Sequence, residues 1–257
     1  MVNKDSTQYT IVVALLLCIV CSIVVSTAAV MLKPAQQANK AKDFKSNILS
    51  AAGLLQEGKS VNELFAKVET KIVDLETGKY SDAVDPESYD QRKASKDPKL
   101  SEDLEPSEDI AKIGREERYA EVYLATNDKD EKILILPVRG YGLWGTLYGF
   151  LAVESDYETA VGLGFYEHKE TPGLGAEVDN PSWKAQWDGK KLYDDKGNVA
   201  IQIIKGKVDS NTPKPEYKVD GLSGATLTSR GVHNLLHFWL GENGYKPFLE
   251  NLKKGEA

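Results

Sequence analysis

The chain has 257 residues, a formal net charge of −7 and a hydrophobic content of 41%. After one membrane segment is subtracted, that length is enough for one domain of average to large size with a real hydrophobic core. The acidic balance and the lack of a basic patch in the sequence argue against a nucleic acid as a partner.

The N-terminal region predicts a membrane anchor. Residues 11–32 are almost entirely apolar or small and carry no charge, and about 20 such residues span a bilayer as a helix. We therefore expect a tail over residues 1–10 and one transmembrane helix over 11–32. A cleaved signal peptide has a shorter apolar core, but the small residues at 26–28 leave cleavage open as an alternative.

Both cysteines of the chain, Cys18 and Cys21, lie inside this segment. A CxxC pair can bind a metal or do redox chemistry, but two thiolates alone do not complete a tetrahedral site. We therefore expect apolar packing for both. The rest of the chain has no cysteine, so neither a disulfide nor an iron–sulfur cluster held by this chain is expected there.

The lysine count around the apolar segment bears on its orientation. By the positive-inside rule, the side of the span with more Lys and Arg is cytoplasmic. Only Lys4 precedes the span, whereas four lysines follow it closely: Lys33, Lys40, Lys42 and Lys45. This count favours a cytoplasmic C-terminal domain.

Residues 33–117 predict a helical stalk followed by a charged, loop-rich segment. The stalk covers residues 35–58, a capping box at Ser60–Glu63 begins a short helix, and residues 71–75 are a strand candidate. Charge and proline dominate residues 80–117. That stretch predicts either solvated loops with a short helix over 107–113 or a contact surface for other proteins of a complex.

Residues 118–257 predict the main domain. Alternating and apolar runs bounded by turn residues are typical of antiparallel hairpins, and they predict strands at 119–126, 132–138, 147–154, 160–167 and 199–205. A short helix is expected at 181–187. The fold class is therefore α+β: a single N-terminal transmembrane helix followed by a mainly antiparallel-sheet domain with flanking helices.

The most informative stretch is Asp220-Gly-Leu-Ser-Gly-Ala-Thr226, a glycine-rich turn that leads into a helix predicted over 232–240. Thr228 or Ser229 is expected to cap that helix. Thr226 is thus expected just ahead of a helix N-terminus, where unpaired N–H groups and the helix dipole favour a phosphate. Its hydroxyl could hold, or be esterified to, a phosphate group. An ordinary turn with a Ser/Thr cap has the same pattern, and on spacing alone it is the commoner case.

Two further loops are rich in glycine. In Glu170-Thr-Pro-Gly-Leu-Gly175, the glycines allow a flat ligand to approach the backbone, and Leu174 can cover a ring face; a Pro-Gly turn is the alternative. The loop is not a GxGxxG and no βαβ unit surrounds it, so a dinucleotide fold is not predicted. In Gly142-Leu-Trp-Gly145, the alternative is a buried aromatic residue that anchors a turn.

The three histidines do not predict a metal site. His233 and His237 are four residues apart on one helical face, but two ligands are too few for a closed zinc site, and no HExxH occurs. We expect them, and His168, to be core or surface residues. Ser223 lacks the GxSxG setting of a hydrolase nucleophile, so neither catalytic nor metal-binding residues are assigned.

The turn at Asp220–Thr226 resembles the flavinylation motif of proteins that carry FMN through a phosphoester to a threonine, and in those proteins the final threonine, here Thr226, is the acceptor. A separate flavin transferase makes the bond from FAD. From the membrane segment to the C-terminal helix the chain resembles the family of C subunits of the Na+-translocating NADH:quinone reductase. The motifs that carry this resemblance are Tyr89-Asp-Gln-Arg-Lys-Ala94, Gly142-Leu-Trp144, Glu170–Gly175 and Asp220–Ser229.

The resemblance implies an electron carrier with one covalent FMN, and it implies which residues lie near the cofactor. Apart from the resemblance, Lys205 ends a predicted strand ahead of a glycine: as a cation near the ring it could stabilise a reduced, anionic flavin, and the alternative is a solvated strand end. Asp220 would orient Thr226 or form an Asx turn. The implied cofactor residues are Thr226, Ser223, Gly224, Ala225, Asp220, Thr171, Gly173, Leu174, Gly175, Leu143, Trp144 and Lys205.

The resemblance also implies a setting. The family's complex has six subunits in the bacterial inner membrane, oxidises NADH, reduces ubiquinone and moves Na+ outward. Its C subunit is single-pass and relays electrons between a membrane-embedded iron centre and the flavin of another subunit. The flavin domain is periplasmic, opposite to the lysine count, and we follow the resemblance. The alternatives are the G-type subunit of the related ferredoxin:NAD complex, which shares the turn motif, and a periplasmic adaptor module without flavin.

Overall fold

In the computed structural model, which describes residues 6–257, the chain divides into a unit that ends at Asp43 and a compact unit from Phe44 to Ala257. The first unit is formed by helix α1 (Thr7–Ala51), whose last residues belong to the second. Its most apolar 18-residue window has a mean hydropathy of 2.9, and the helix is long and apolar enough to cross a membrane. The predicted span at 11–32 lies inside it, and the predicted stalk is helical as far as Ala51.

Apart from the last two, the other α-helices in the described part of the chain are only four or five residues long. They are α2 (Val61–Phe65), α3 (Gln91–Ala94), α4 (Pro181–Lys184), α5 (Thr226–Trp239) and α6 (Lys246–Lys254). The strands are β1 (Glu69–Asp74), β2 (Lys79–Tyr80), β3 (Ser101–Asp103), β4 (Arg115–Glu117), β5 (Tyr119–Thr126), β6 (Lys132–Tyr141), β7 (Thr146–Val153), β8 (Ala160–Glu167), β9 (Gln202–Ile203) and β10 (Lys218–Val219).

A six-stranded sheet with the order β2-β1-β5-β6-β7-β8 forms the centre of the compact unit, and all of its neighbouring pairs are antiparallel. The pairs β3–β4 and β9–β10 are separate and two-stranded. The α+β prediction with flanking helices is confirmed. Because β1 pairs with β5, the sheet draws on residues 33–117 as well as on 118–257.

The strand predictions at 119–126 and 160–167 coincide with β5 and β8. The predicted strand at 199–205 shortens to β9. The predicted helix at 107–113 is wrong, since that stretch forms turns. There the Asp109 carboxylate accepts hydrogen bonds from the backbone N–H groups of Ile113 and Gly114, and Lys112 has a φ of +54°, a left-handed conformation that no helix continues.

Hydrophobic side chains cover both faces of the sheet. On one face, α5 and α6 contribute the buried Trp239 and Phe248, and the segment that follows α4 contributes Trp187 to the same cluster. On the other face, the residues from Phe44 onward pack against Tyr123 and Phe150 in edge-to-face aromatic contacts. Because it is packed on both faces, the sheet can support the loops at the ends of its strands.

The motif at residues 89–94 fastens the charged segment to this sheet. The Tyr89 hydroxyl donates to the Tyr119 carbonyl at 2.6 Å, and Arg92 makes a two-point ion pair with Glu167 at 2.7 and 3.0 Å. Residues 80–117 are therefore tied to β5 and β8 along part of their length.

Candidate functional site

Helix α5 packs against the C-terminal end of strand β6, and this packing positions the residues of the candidate site. At its C-terminal end, the Trp239 indole N–H donates to the Arg139 carbonyl at 2.7 Å. Near its start, Gly231 lies so close to β6 that a Cβ there would be 2.5 Å from the Tyr141 carbonyl oxygen. The first turn of α5 is therefore held beside the hairpin loop that follows β6.

The turn at 220–226 delivers Thr226 to the start of this helix. Gly224 has a φ of +72°, which glycine adopts without penalty. The Ser229 hydroxyl accepts from the Leu222 N–H at 2.9 Å and donates to the Ala225 carbonyl at 3.1 Å, so it locks the turn onto the helix.

Two sequence expectations about this helix are corrected. It begins at Thr226 rather than near residue 232, so Thr226 is its first residue instead of lying just ahead of it. Thr228 and Ser229 are buried in the first turn and do not cap it, because the N-cap position is taken by Ala225, which has no capping side chain. The first N–H groups of α5 therefore keep their capacity to bind an anion.

Asp220 anchors the base of the turn. Its carboxylate accepts from the Val208 N–H at 2.7 Å, and its carbonyl accepts from the Trp183 indole N–H at 2.9 Å. Its own N–H donates to the Gln186 side chain at 3.0 Å. Asp220 thus contacts the neighbouring loop and α4, and through them fixes where the turn starts.

Leu143 and Trp144 form the tip of the β6–β7 hairpin. Strand pairing ends at Tyr141 and Thr146, and the Gly142 N–H donates to the Gly145 carbonyl at 2.8 Å. Trp144 is 61% exposed. The alternative of a buried aromatic residue that anchors the turn is therefore wrong, and the side chain is available to a ligand or partner.

The loop at 170–175 comes next to the Thr226 turn. Its backbone is closed by the Thr171 carbonyl, which accepts from the Leu174 N–H at 3.1 Å, and Gly173 has a φ of +75°. Leu174 is exposed, and its side chain lies against Gly224, where a Cβ would be 2.9 Å from Leu174 Cδ2. Gly175 is buried.

Glu170 joins these three segments and was missed as a site residue by sequence reasoning. It is 6% exposed. Its Oε1 accepts the N–H groups of Leu143 and Trp144 at 3.0 Å each, and its Oε2 accepts the Thr228 hydroxyl at 2.5 Å. The only sequence signal is its place at the head of the Glu170–Gly175 motif. That motif gives no sign that the carboxylate is buried.

A groove of about 480 Å³ runs beside Thr226 along α5, and it is lined in part by Lys205, Arg230 and His233. The structure thus brings the predicted Lys205 into the same groove as Thr226, and it adds Arg230, which sequence reasoning did not single out. Burial, with a contribution from the neighbouring His237, lowers the pKa of His233 to about 4. His233 is therefore neutral near pH 7 and leaves the positive charge of this lining to Lys205 and Arg230.

Four apolar side chains are exposed on the first turn of α5 and on the two loops that Leu174 and Glu170 bring to it, and we call them the apolar rim: Leu143, Trp144, Leu174 and Leu227. Exposed apolar clusters of this kind mark binding surfaces. The site therefore offers two kinds of contact, an anion position at the helix start and apolar surface for a flat ring. Sequence spacing could not identify Leu227 and Glu170 as site residues, because neither belongs to a spacing pattern that indicates a ligand.

The histidines lie outside a metal arrangement. Among residues 6–257, no cluster of three or more His, Cys, Asp or Glu side chains could hold a metal ion. The His233 and His237 rings are 4.1 Å apart, and a His237 ring nitrogen is 2.8 Å from the Ile201 carbonyl oxygen. His168 lies between the Asp179 carboxylate and the Glu170 N–H, with a ring nitrogen facing each at 2.7 and 3.2 Å.

Residues 142–241, which carry all three segments, match the FMN-binding domain family. The chain is 57% identical to the C subunit of the Na+-translocating NADH-quinone reductase of Pseudomonas aeruginosa, over 100% of both chains. It is 48% identical to the corresponding C subunit of Vibrio alginolyticus, over 99% of this chain and 98% of that one.

Solved structures agree with these sequence relatives. The crystal structure of Shewanella oneidensis NqrC superposes with a TM-score of 0.77 at 36% identity, covering 84% of this chain and 99% of that one. The crystal structure of the C subunit from Parabacteroides distasonis gives a TM-score of 0.65 at 27% identity, covering 85% of this chain and 96% of that one.

The fold and the site define a flavoprotein of the FMN-binding-domain class, in which an apolar N-terminal helix precedes the domain. Relatives matched over their full or nearly full length decide between the alternatives that the sequence leaves open. The chain belongs to the family of C subunits of the Na+-translocating NADH-quinone reductases, rather than to the G-type subunits or to adaptor modules without flavin.

Proposed function

We propose that this protein carries one FMN, attached through a phosphoester to the Thr226 hydroxyl, and relays electrons within its complex. The observation that carries the proposal is the position of Thr226. It is exposed, it is the first residue of a helix without a capping side chain, and it lines the groove next to Leu227 of the apolar rim. A bound FMN would supply reversible one-electron chemistry.

The phosphate would lie at the start of α5. The N–H groups of the first turn and the positive end of the helix dipole favour a negative group there. Lys205 and Arg230, in the groove beside Thr226, would balance part of its charge. Ser223, Gly224 and Ala225 would contribute the turn that presents the hydroxyl, and Asp220 would hold that turn in place.

The ring would lie against the apolar rim. Leu143 and Trp144 from the hairpin tip would approach it from one segment, and Leu174 with Thr171 and Gly173 from another. Gly175 would support this loop from its buried side, because it packs against Glu170 and Thr228. Burying part of the exposed rim would add to the affinity, since apolar area removed from water is stabilising.

The role in the complex follows from the family. We propose that helix α1 anchors the protein in the bacterial inner membrane and that the flavin domain is periplasmic, against the lysine count at the ends of the span. Five other subunits would complete the complex, which passes electrons from NADH to ubiquinone and moves Na+. A flavin transferase that uses FAD would make the phosphoester on Thr226 and release AMP.

The test is flavin attachment in the full-length chain purified in detergent. Coexpression with a flavin transferase should add the mass of one FMN less one water, and the protein should stay fluorescent after denaturation. Thr226→Val, which keeps the shape but removes the hydroxyl, should abolish both signals, as should omission of the transferase. A wild-type chain without covalent flavin, or a Thr226→Val chain that retains it, contradicts the proposal.

A further inference from the structure

Glu170 is a buried carboxylate that contacts two segments distant from it in sequence. Two of its partners are N–H groups at the hairpin tip, Leu143 and Trp144, and the third is the Thr228 hydroxyl in the first turn of α5. These segments carry the apolar rim and Thr226. Glu170 therefore links the hairpin tip to the helix turn that begins at Thr226, in addition to the packing of α5 on β6.

The backbone around Glu170 is shaped to admit its carboxylate. A Cβ at Gly142 would be 2.6 Å from Oε1, and a Cβ at Gly175 would be 2.6 Å from both Oε2 and the Thr228 hydroxyl oxygen. Real Cβ atoms do not approach so closely, so a larger residue at either position would displace the Glu170 carboxylate. The carboxylate is thus part of a built site rather than an incidental buried polar group.

A purely structural clamp would not need a charge at this place. All three partners donate to the carboxylate. The oxygen of a neutral amide could still accept both N–H groups, and its NH2 could donate to the Thr228 hydroxyl oxygen, which reverses only that hydrogen bond. A buried carboxylate is harder to desolvate than an amide. Its charge also lies at the first turn of α5, the position at which the proposed phosphate would place a second negative charge.

We infer that Glu170 is a positioning residue for the flavin and that its negative charge lowers the flavin's reduction potential. This inference rests on the proposed attachment of FMN to Thr226. Reduction adds negative charge to the ring system unless a proton accompanies the electron, and a fixed carboxylate behind Leu143 and Trp144 disfavours that added charge. The hydrogen bonds and the charge make separate contributions, so they can be tested separately.

Glu170→Gln removes the charge and can keep all three contacts, with the hydrogen bond to Thr228 reversed in direction, whereas Glu170→Ala removes the charge and the contacts. The matched control is Glu158→Gln, which makes the same chemical change at a half-exposed residue whose ion pair is with Lys253. The full-length chains are prepared in detergent with and without the transferase. Three quantities are measured: covalent flavin by intact mass, the midpoint potential by dithionite titration, and amide exchange at Leu143 and Trp144 in the flavin-free chain.

We expect Glu170→Gln to carry flavin at a more positive midpoint potential with amide exchange within about threefold of wild type. Glu170→Ala should exchange at Leu143 and Trp144 about tenfold faster or more. Glu158→Gln should change none of the three. An unchanged potential in Glu170→Gln, or a Glu170→Gln chain that no longer folds, overturns the inference. A wild-type chain without covalent flavin overturns the proposed function and this inference with it.

Discussion

Gly175→Ala should destabilise the compact unit more than any other glycine substitution in the same loop. The added Cβ would be 2.6 Å from Glu170 Oε2 and from Thr228 Oγ1, and 3.0 Å from Glu170 Cβ. Both oxygens are held by the hydrogen bond between them. The residue therefore needs space that the structure does not offer, although its backbone conformation is one that alanine can adopt.

The magnitude follows from two effects. Inserting a methyl group into a packed site costs roughly 1–3 kcal/mol, and weakening a hydrogen bond to a carboxylate costs roughly 1.5–3 kcal/mol. We expect a loss of about 3 kcal/mol in the free energy of unfolding. For a unit of this size, that corresponds to a fall of about 6–12 °C in Tm.

Gly173→Ala is the matched control. Gly173 lies two residues earlier in the same loop and has a φ of +75°, but no atom lies within 4 Å of a Cβ placed there. Its cost is therefore only the left-handed conformation, roughly 1 kcal/mol or about 3 °C. Both chains are compared by thermal unfolding in detergent, followed by tryptophan fluorescence. If Gly173→Ala lowers Tm as much as Gly175→Ala does, the account of how Glu170 is enclosed is refuted.

Three further changes test other parts of the structure. Burial, with a contribution from Glu117, raises the pKa of Glu116 from 4.5 to about 8, so the folded chain loses stability as pH rises from about 5 to 8. Glu116→Gln should remove this loss, which amounts to about 4 kcal/mol in the free energy of unfolding between pH 5 and pH 8.5 and is measured by urea unfolding at both pH values. Trp144→Ala should change stability by less than about 0.5 kcal/mol because the side chain is exposed, while iodide should quench the attached flavin more strongly. Trp239→Phe should lower the free energy of unfolding in urea by about 2–3 kcal/mol, since it leaves a cavity and an unpaired Arg139 carbonyl. A loss below about 0.5 kcal/mol contradicts a stabilising role for the Trp239–Arg139 hydrogen bond.

The long strands could be predicted from sequence because each is a half-buried or buried run bounded by turn residues. The pattern from Tyr119 to Thr126 and the run that begins at Lys132 correspond to β5 and β6. The stretch at 107–113 has helical composition, but a local side-chain contact decided its structure. Asp109 binds backbone N–H groups ahead of it and ends any helix there. Short segments depend on such single contacts, which hydrophobic periodicity does not record.

The candidate site likewise contains residues that the sequence could predict and residues that it could not. Thr226, Leu143, Trp144 and Leu174 lie in glycine-rich motifs that the sequence shows directly, and the structure brings them together. The start of α5 was placed six residues too late, because the first turn buries Thr228 and Ser229, polar residues that interrupt the apolar spacing. The role of Glu170 depends on three segments that meet only in the folded chain, so no local pattern could predict it.

The central claim is that Thr226 is the residue that carries the flavin, and tandem mass spectrometry tests it most directly. Trypsin cleavage after Lys218 and Arg230 yields a peptide over residues 219–230 that contains every hydroxyl of the turn: Ser223, Thr226, Thr228 and Ser229. The account predicts that fragment ions place one FMN phosphoester on Thr226, the exposed first residue of α5. Flavin on Ser223 or Thr228, or an unmodified peptide from transferase-treated protein, would contradict it.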